Sequence, residues 1–571
     1  MTFVGSPTTL WRMCRLKTEV LVFCAALAAF ASGCGDAMPS TDGGQDAALA
    51  DAGPAMDWPY AEAPAVSEPV PGVRREVIVV DGVAAPPNPA DGSTTPPELN
   101  RFPVVRFSAA DEPPVRAVVI AMPGIFGGAG TFEILARHLV RRSIDAGEPI
   151  EVWAVDRRSN LLEDPRGLDS AEVMEEPDLA RGYHFRRETV GGVAFDGFVE
   201  QEDVPFMSEW GLQTHLGDLR ALIDRVDRTD QQARVFLMGH SLGGSMTESF
   251  LSWRFDDGTR GSELLAGFIL VDGAAGSSPI TEAEYHSGTS GGFGMSPGVD
   301  AIRAANRFLA LPLLGVEVYV RAEIAAMDAL YAPDVVQVDR GRASVLSTLM
   351  SLPTQRVPPM TNAAAFGWAF DDASNGLSFA AVGMGQPTGG PTEAYESLFG
   401  STLQRPSDPS VEYQWIDAPE SDPPERTPMA NLVASWIDGR TNFAEWYFPQ
   451  RLALDLSATA GLDQTEDSWQ ASEGLRAFDG ALVDAPGLAF AAALVGPSGY
   501  DAARARMAAV GAGRPNAGAL RTDDAGFAVV DVTDQTHIDP LTGTDDAGSP
   551  VPGAIIDFVY ANAAAGTIAP P

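Results

Sequence analysis

The segment RVFLMGHSLGGSMTESFL, residues 234–251, sets an apolar run before Gly-His-Ser-Leu-Gly and a helix-forming run after it. A serine on a tight strand-to-helix turn projects its hydroxyl above the sheet, the arrangement a nucleophile needs to reach a carbonyl carbon. Ser241 is therefore the candidate nucleophile. Side chains at Gly239 and Gly243 would collide with neighbouring backbone in such a turn, so glycine there fits the same reading. The helix that starts after Ser241 aims its partially positive N-terminus at the reaction centre. A developing oxyanion is favoured there, and the backbone N–H of Leu242 is one donor for it. His240, adjacent on so tight a turn, cannot face the serine and is assigned to packing. Lysine chemistry is excluded, because Lys17 is the only lysine and lies in a segment expected to be removed.

GHSLGG, with strands and helices on both sides, resembles the α/β-hydrolase superfamily, particularly its esterases and lipases. The resemblance covers 73–275 and 465–563 and implies an eight-stranded, mostly parallel sheet with helices on both faces and a large insertion between strands six and seven. It also implies the chain order serine, acid, histidine, which leaves His286 and His537 as bases. His537, in FAVVDVTDQTHIDP after the last strand-like run, is the one placed where the family carries it. The second oxyanion donor is implied in AMPGIFGGAG, where Pro123 stands in place of the family's histidine. By position it is Ile125, with Phe126 as alternative. Two acids remain open: Asp272 ends strand six in GFILVDGAAG, and Asp501 follows strand seven in LVGPSGYDAARARM, where S-x-x-D spacing also reads as a helix cap. Asp531, Asp534 and Asp539 lie too near His537 in sequence to face its ring. No metal or organic cofactor is implied. Ser241 argues against epoxide hydrolases and haloalkane dehalogenases, which carry aspartate at the turn. Ester hydrolysis through an acyl-enzyme is the leading expectation. Peptidase, amidase or haloperoxidase chemistry on the same triad, a surface depolymerase, and a non-catalytic binding protein of this fold are the alternatives.

Strand-like runs that could carry these residues recur at 74–80, 102–107, 115–122, 150–155, 234–238, 265–271, 488–495 and 527–532. Helical patterns fall between several of them, at 131–142, 216–226, 242–255, 500–510 and 555–561. Such alternation argues a parallel sheet covered on both faces. The expected core is 73–275 with 465–571, and 276–464 is a cap. Within the cap 288–298 is glycine-rich, whereas 301–331 looks helical and apolar, with Arg303, Arg307, Glu317 and Arg321 arguing against a membrane span. The loop AVDRRSNLLEDPRG after strand four concentrates Asp156, Arg157, Arg158, Glu163 and Asp164 at the sheet's carboxyl edge and is assigned no role.

The chain has 571 residues, 38 basic against 77 acidic, for a net charge of −39. That balance argues against a nucleic-acid partner. The expected partner is a small-molecule or lipidic ester. Arg12, Arg15 and Lys17 precede an apolar stretch at 20–30, too short to span a bilayer, and small residues follow. Ala31-Ser32-Gly33-Cys34 resembles a bacterial lipoprotein signal, with Ala31 where leucine is usual; ordinary secretion is the alternative. Residues 1–34 would then be a signal peptide, Cys34 the lipidated N-terminus and sole membrane attachment, and 35–72 a flexible acidic tether. With Cys14 and Cys24 removed, no disulfide is possible. Replacing Cys34 with serine is expected to abolish incorporation of a labelled fatty acid and release the protein from the membrane fraction; labelling that survives would exclude this anchor.

Overall fold

A computed structural model describes residues 70–289, 297–309, 315–336, 358–396, 401–510 except 419, 438 and 442, 526–546 and 548–570. The signal, Cys34 and nearly all of the tether lie outside these residues, as does most of the glycine-rich stretch 288–298. Eight strands form one sheet: β1 (Val73–Asp81), β2 (Arg101–Ala109), β3 (Ala117–Met122), β4 (Ile150–Val155), β5 (Val235–His240), β6 (Gly267–Val271), β7 (Gly487–Ala491) and β8 (Phe527–Asp531). Their spatial order is β1-β2-β4-β3-β5-β6-β7-β8. β2 runs antiparallel to both its neighbours, and every other pair from β4 to β8 is parallel. This order with one reversed strand is the α/β-hydrolase topology.

Period-two alternation shows why both faces need helices. Along β3, Val118, Ile120 and Met122 enter one apolar cluster while Ala117, Val119 and Ala121 enter another. Helices α1 (Glu133–Asp145) and α8 (Val551–Asn562) cover the second face. The first face is covered by α2 (Leu212–Ile223) and α3 (Leu242–Ser252), together with α7 (Gln450–Thr459) from within the long insertion. The insertion between β6 and β7 therefore shares the sheet's core through Leu452, Leu454, Leu456, Tyr285 and Ile302.

A third apolar cluster forms the cap. It is built from α4 (Glu317–Tyr331), α5 (Asn362–Phe370) and α6 (Met429–Ile437) of the long insertion. Residues 168–210, which the sequence grouped with the sheet, also join it through Leu168, Ala180, Phe206 and Trp210. The cap thus has two chain origins, tied where Tyr447 Oη accepts the N–H of Val199 at 2.9 Å. The stretch 301–331, expected to be helical, is so at Val299–Ala304 and Glu317–Tyr331, and between them Phe308–Leu309 pairs as a short strand with Phe448–Pro449. Among the described residues no helix is long and apolar enough to cross a membrane.

Buried ion pairs fix the edge of this assembly. Arg158, after β4, bonds Asp218 of α2 through Nε at 3.0 Å, Asn100 at 3.0 Å and the carbonyl of Val83 at 3.0 Å. Removing one partner of a buried pair costs about 3–5 kcal/mol, since the remaining charge is left without solvent. Asp218→Ala is expected to lower unfolding free energy by about that amount, read as a shift of the urea midpoint at constant slope.

Candidate active site

β5 runs into the turn at Ser241, whose backbone adopts φ 54, ψ −123, a conformation non-glycine residues rarely hold. A Cβ on Gly243 would run into the carbonyl of Met122, and one on Gly239 into that of Gly243, so the turn admits only glycine at both places. The strain is held by the sheet: Ser241 N–H donates to Val271 O at 3.0 Å.

Asp272 directly follows β6, fully buried and also at positive φ, and His537 follows β8 at 2% exposure. His537 Nδ1 and Asp272 Oδ2 are 2.7 Å apart. The carboxylate also accepts the backbone N–H groups of Ala492 (3.0 Å), Leu494 (3.3 Å) and Val495 (3.1 Å) from the loop after β7. With an acceptor on Nδ1, the neutral ring carries its proton there and leaves Nε2 free to accept one. Between the two acids left open by the sequence, the structure brings Asp272 to the histidine. Asp501 is exposed on its helix and bonds Arg504 at 3.3 Å. The post-β7 loop ends its strand at Ala491 and curls back over Asp272, so the carboxylate that follows it points outward. His286 lies elsewhere, 3.4 Å from Asp300.

His240 is buried against this pair. Its Nε2 donates to the carbonyl of His537 at 3.0 Å, and the two rings sit 4.4 Å apart. Burial and the neighbouring imidazole push its pKa well below the usual value, so it is a neutral prop for the His537 loop. His215 is buried in α2 on the carbonyl of Gly211, pushed down to about 3 by desolvation, and does not line the cavity.

Ser241, His537, Ile125 and Phe126 share the wall of a cavity of about 100 Å³. Tyr319, Phe370, Leu377, Trp436 and Phe443 close it from the cap, and the lining is overwhelmingly apolar. Leu242 begins α3, where its N–H has no intrahelical acceptor. Among the described residues the amides of Ile125 and Phe126 likewise carry no hydrogen bond.

No protein-family model and no curated protein matches the chain. Solved structures similar to it include a candidate lipase from Sulfolobus solfataricus, 12% identical over 86% of this chain and 94% of that one, with a TM-score of 0.41. A thermophilic esterase from Thermogutta terrifontis is 11% identical over 86% and 100% of the two chains, TM-score 0.33. A peroxisomal α/β-hydrolase from Saccharomyces cerevisiae is 9% identical over 85% and 89%, TM-score 0.35. Likeness this distant carries no argument about chemistry, which rests on the geometry above.

The charged loop after β4, given no role by the sequence, turns inward. Asp156 Oδ1 accepts the N–H of Ala129 at 2.6 Å, and Arg157 pairs with Glu445 of the cap at 2.7 Å. Ser159 also donates to Glu445. Glu163 accepts the N–H of Trp446 at 2.8 Å, and desolvation raises its pKa well above the usual carboxylate value. Among the described residues one acidic group has metal-ligand spacing, Asp371 with Asp372 and Glu425 in the cap. Its carboxylates already take the amides of Ala373, Met384 and Gly385.

Desolvation raises Asp156 to about 7, so the folded chain keeps a proton that the unfolded chain sheds above about pH 4. Its contribution to stability therefore falls as pH rises from about 4 to about 7. Asp156→Asn, which keeps an acceptor for Ala129, is expected to flatten that part of the stability profile, followed by urea midpoints from pH 4 to 8; an unchanged slope would mean Asp156 is ionised in the fold.

Proposed function

We propose that the chain is a serine hydrolase that cleaves carboxylic esters through an acyl-enzyme. The observation that carries this reading is the buried Asp272–His537 hydrogen bond, on the wall of the cavity that also holds the strained Ser241. Ser241 Oγ attacks the ester carbonyl carbon while His537 Nε2 takes its proton, and Asp272 stabilises the imidazolium. The carbonyl π pair moves onto oxygen, which the amides of Leu242 and Ile125 receive. Collapse expels the alcohol, protonated by His537, and leaves an ester on Ser241. Water, deprotonated by His537, then releases the acid.

The cavity favours a compact apolar acyl group. Aromatic and aliphatic side chains of the cap close over it, and apolar burial there is worth about 25 cal/mol per Å² removed from water. A polymer chain would need an open cleft. The lipoprotein-type signal supports export and attachment through Cys34, so the substrate would be met outside the cytoplasm.

Ser241→Ala is expected to abolish labelling by a fluorophosphonate and ester turnover together. Asp272→Asn is expected to lower kcat about 10⁴-fold, because the imidazole loses the partner that sets its tautomer. Asp501→Asn should leave kcat unchanged. A panel of nitrophenyl esters is expected to show its highest kcat/KM at short acyl chains; a folded wild type that neither labels nor turns over any of them would favour a binding protein of the same fold.

A further inference from the structure

Arg157 follows β4 with its side chain 1% exposed, and three of its four hydrogen bonds go to one loop, while its buried Nε has no partner among the described residues. Nη2 donates to the carbonyls of Pro123 at 2.9 Å and Gly124 at 3.0 Å. Nη1 donates to the carbonyl of Gly127 at 3.0 Å and to Glu445 Oε2 at 2.7 Å. The guanidinium stands 4.9 Å from the ring centre of Phe448. A buried ion pair alone would not need three backbone carbonyls.

In a trans peptide the C=O and the N–H of one unit point in opposite directions. Holding Gly124 O on Arg157 therefore fixes the N–H of Ile125 on the side away from the guanidinium. Ser241 lies close against this loop: a Cβ added to Gly124 would stand 2.8 Å from Ser241 Cβ and 3.3 Å from its Oγ. Among the described residues the N–H of Phe126 is also free, but the two amides after it are consumed within the protein, Gly127 N–H by Gly124 O at 3.3 Å and Gly128 N–H by Phe443 O at 2.9 Å. Phe126 O accepts the N–H of Glu445 at 2.8 Å, so cap residues 443–445 run beside the loop as a bridge. The cap thus holds the loop twice, by its backbone and through the Glu445–Arg157 pair.

We propose that Arg157, clamped by Glu445 of the cap, is a positioning residue that sets the direction of the oxyanion-binding amide of Ile125. This rests on the reading of the chain as a Ser241 hydrolase. Arg157 need touch no substrate; it supplies pre-organisation, so that the amide is already aimed when negative charge develops. Lysine keeps the charge but replaces a rigid planar fork by a compact ammonium, which cannot span Pro123, Gly124 and Gly127 together. Since the donors matter more to an oxyanion than to a ground-state carbonyl, loss of aim falls on kcat and leaves KM nearly unchanged.

A trifluoromethyl ketone reads the oxyanion site directly. Ser241 Oγ bonds to the ketone carbon, the carbonyl π pair becomes an alkoxide on oxygen, the serine proton passes to His537, and no group leaves. Arg157→Lys is expected to lower kcat about 10- to 100-fold with KM within about twofold, and to weaken the ketone's inhibition constant by a matching factor. Arg158→Lys is the control. It alters an equally buried arginine whose bonds go to Asp218, Asn100 and Val83, and is expected to change stability while leaving both readouts in place. Glu445→Gln keeps an acceptor and removes the charge. It should shift kcat and ketone affinity in the same direction by a smaller factor, and it decides the matter if Arg157→Lys does not fold. The proposal is overturned by a change confined to thermal stability, by a rise in KM at full kcat, or by equal losses in the two arginine variants. A wild type inert to fluorophosphonate and to esters would remove the hydrolase reading itself, an outcome distinct from an active wild type whose Arg157 and Glu445 variants keep full kcat.

Discussion

A carboxylate shut away from water has to have its lone pairs filled by the protein, and the arrangement around Asp272 follows from that requirement. Three amides of the loop after β7 and the ring of His537 meet on it. One side chain at the end of β6 thereby fixes the course of the chain after two other strands. Tyr500 reinforces the junction, donating its hydroxyl proton to Phe490 O at 2.9 Å and accepting the N–H of Gly273 at 3.0 Å. His240 supports the other end by holding the His537 carbonyl. Ser241 is strained by comparison, and it can be so because the elements beside it are over-determined.

The same economy governs the far side of the cavity. Glu445 comes from the long insertion, Arg157 from the end of β4 and the loop 123–127 from the end of β3, and they meet with little access to solvent. Breaking any one would leave a buried charge or carbonyl without a partner, so the cap and the sheet edge hold each other in register. Two insertions supply the cap, and its apolar cluster includes Ile538, the residue after His537.

Local patterns carried the sheet. Every strand of the eight coincides with an apolar run, because alternating burial on two helix-covered faces writes itself into consecutive residues. The turn at Ser241 was equally legible, since Gly-His-Ser-Leu-Gly between an apolar run and a helix-forming run is a local pattern, although the contact that excludes a side chain at Gly243 is with distant Met122. Asp272 against Asp501 was not, because the difference lies in how residues 492–495 curl, a choice made by a carboxylate more than 200 positions earlier. Arg157 and Glu445 stand 288 positions apart, and nothing near either marks the other as its partner. The segment 301–331 reads as helical, whereas Phe308–Leu309 within it pairs with the distant Phe448–Pro449 as a ribbon. Long-range pairing overrode local propensity at the places where the cap meets the sheet.

Distance along the chain also sets an order of assembly. A chain made from its N-terminus carries the turn at Ser241 early, yet the brace of its neighbouring loop waits for Glu445 and the imidazole for His537, close to the C-terminus. Contacts this remote form late, after the entropy of closing long loops has been met. Until then the nascent chain holds Ser241 without His537 beside it and the loop at 123–127 without its Arg157–Glu445 clamp. The ring that pairs with Asp272 and the last apolar contact of the cap, Ile538, arrive together in the last tenth of the sequence.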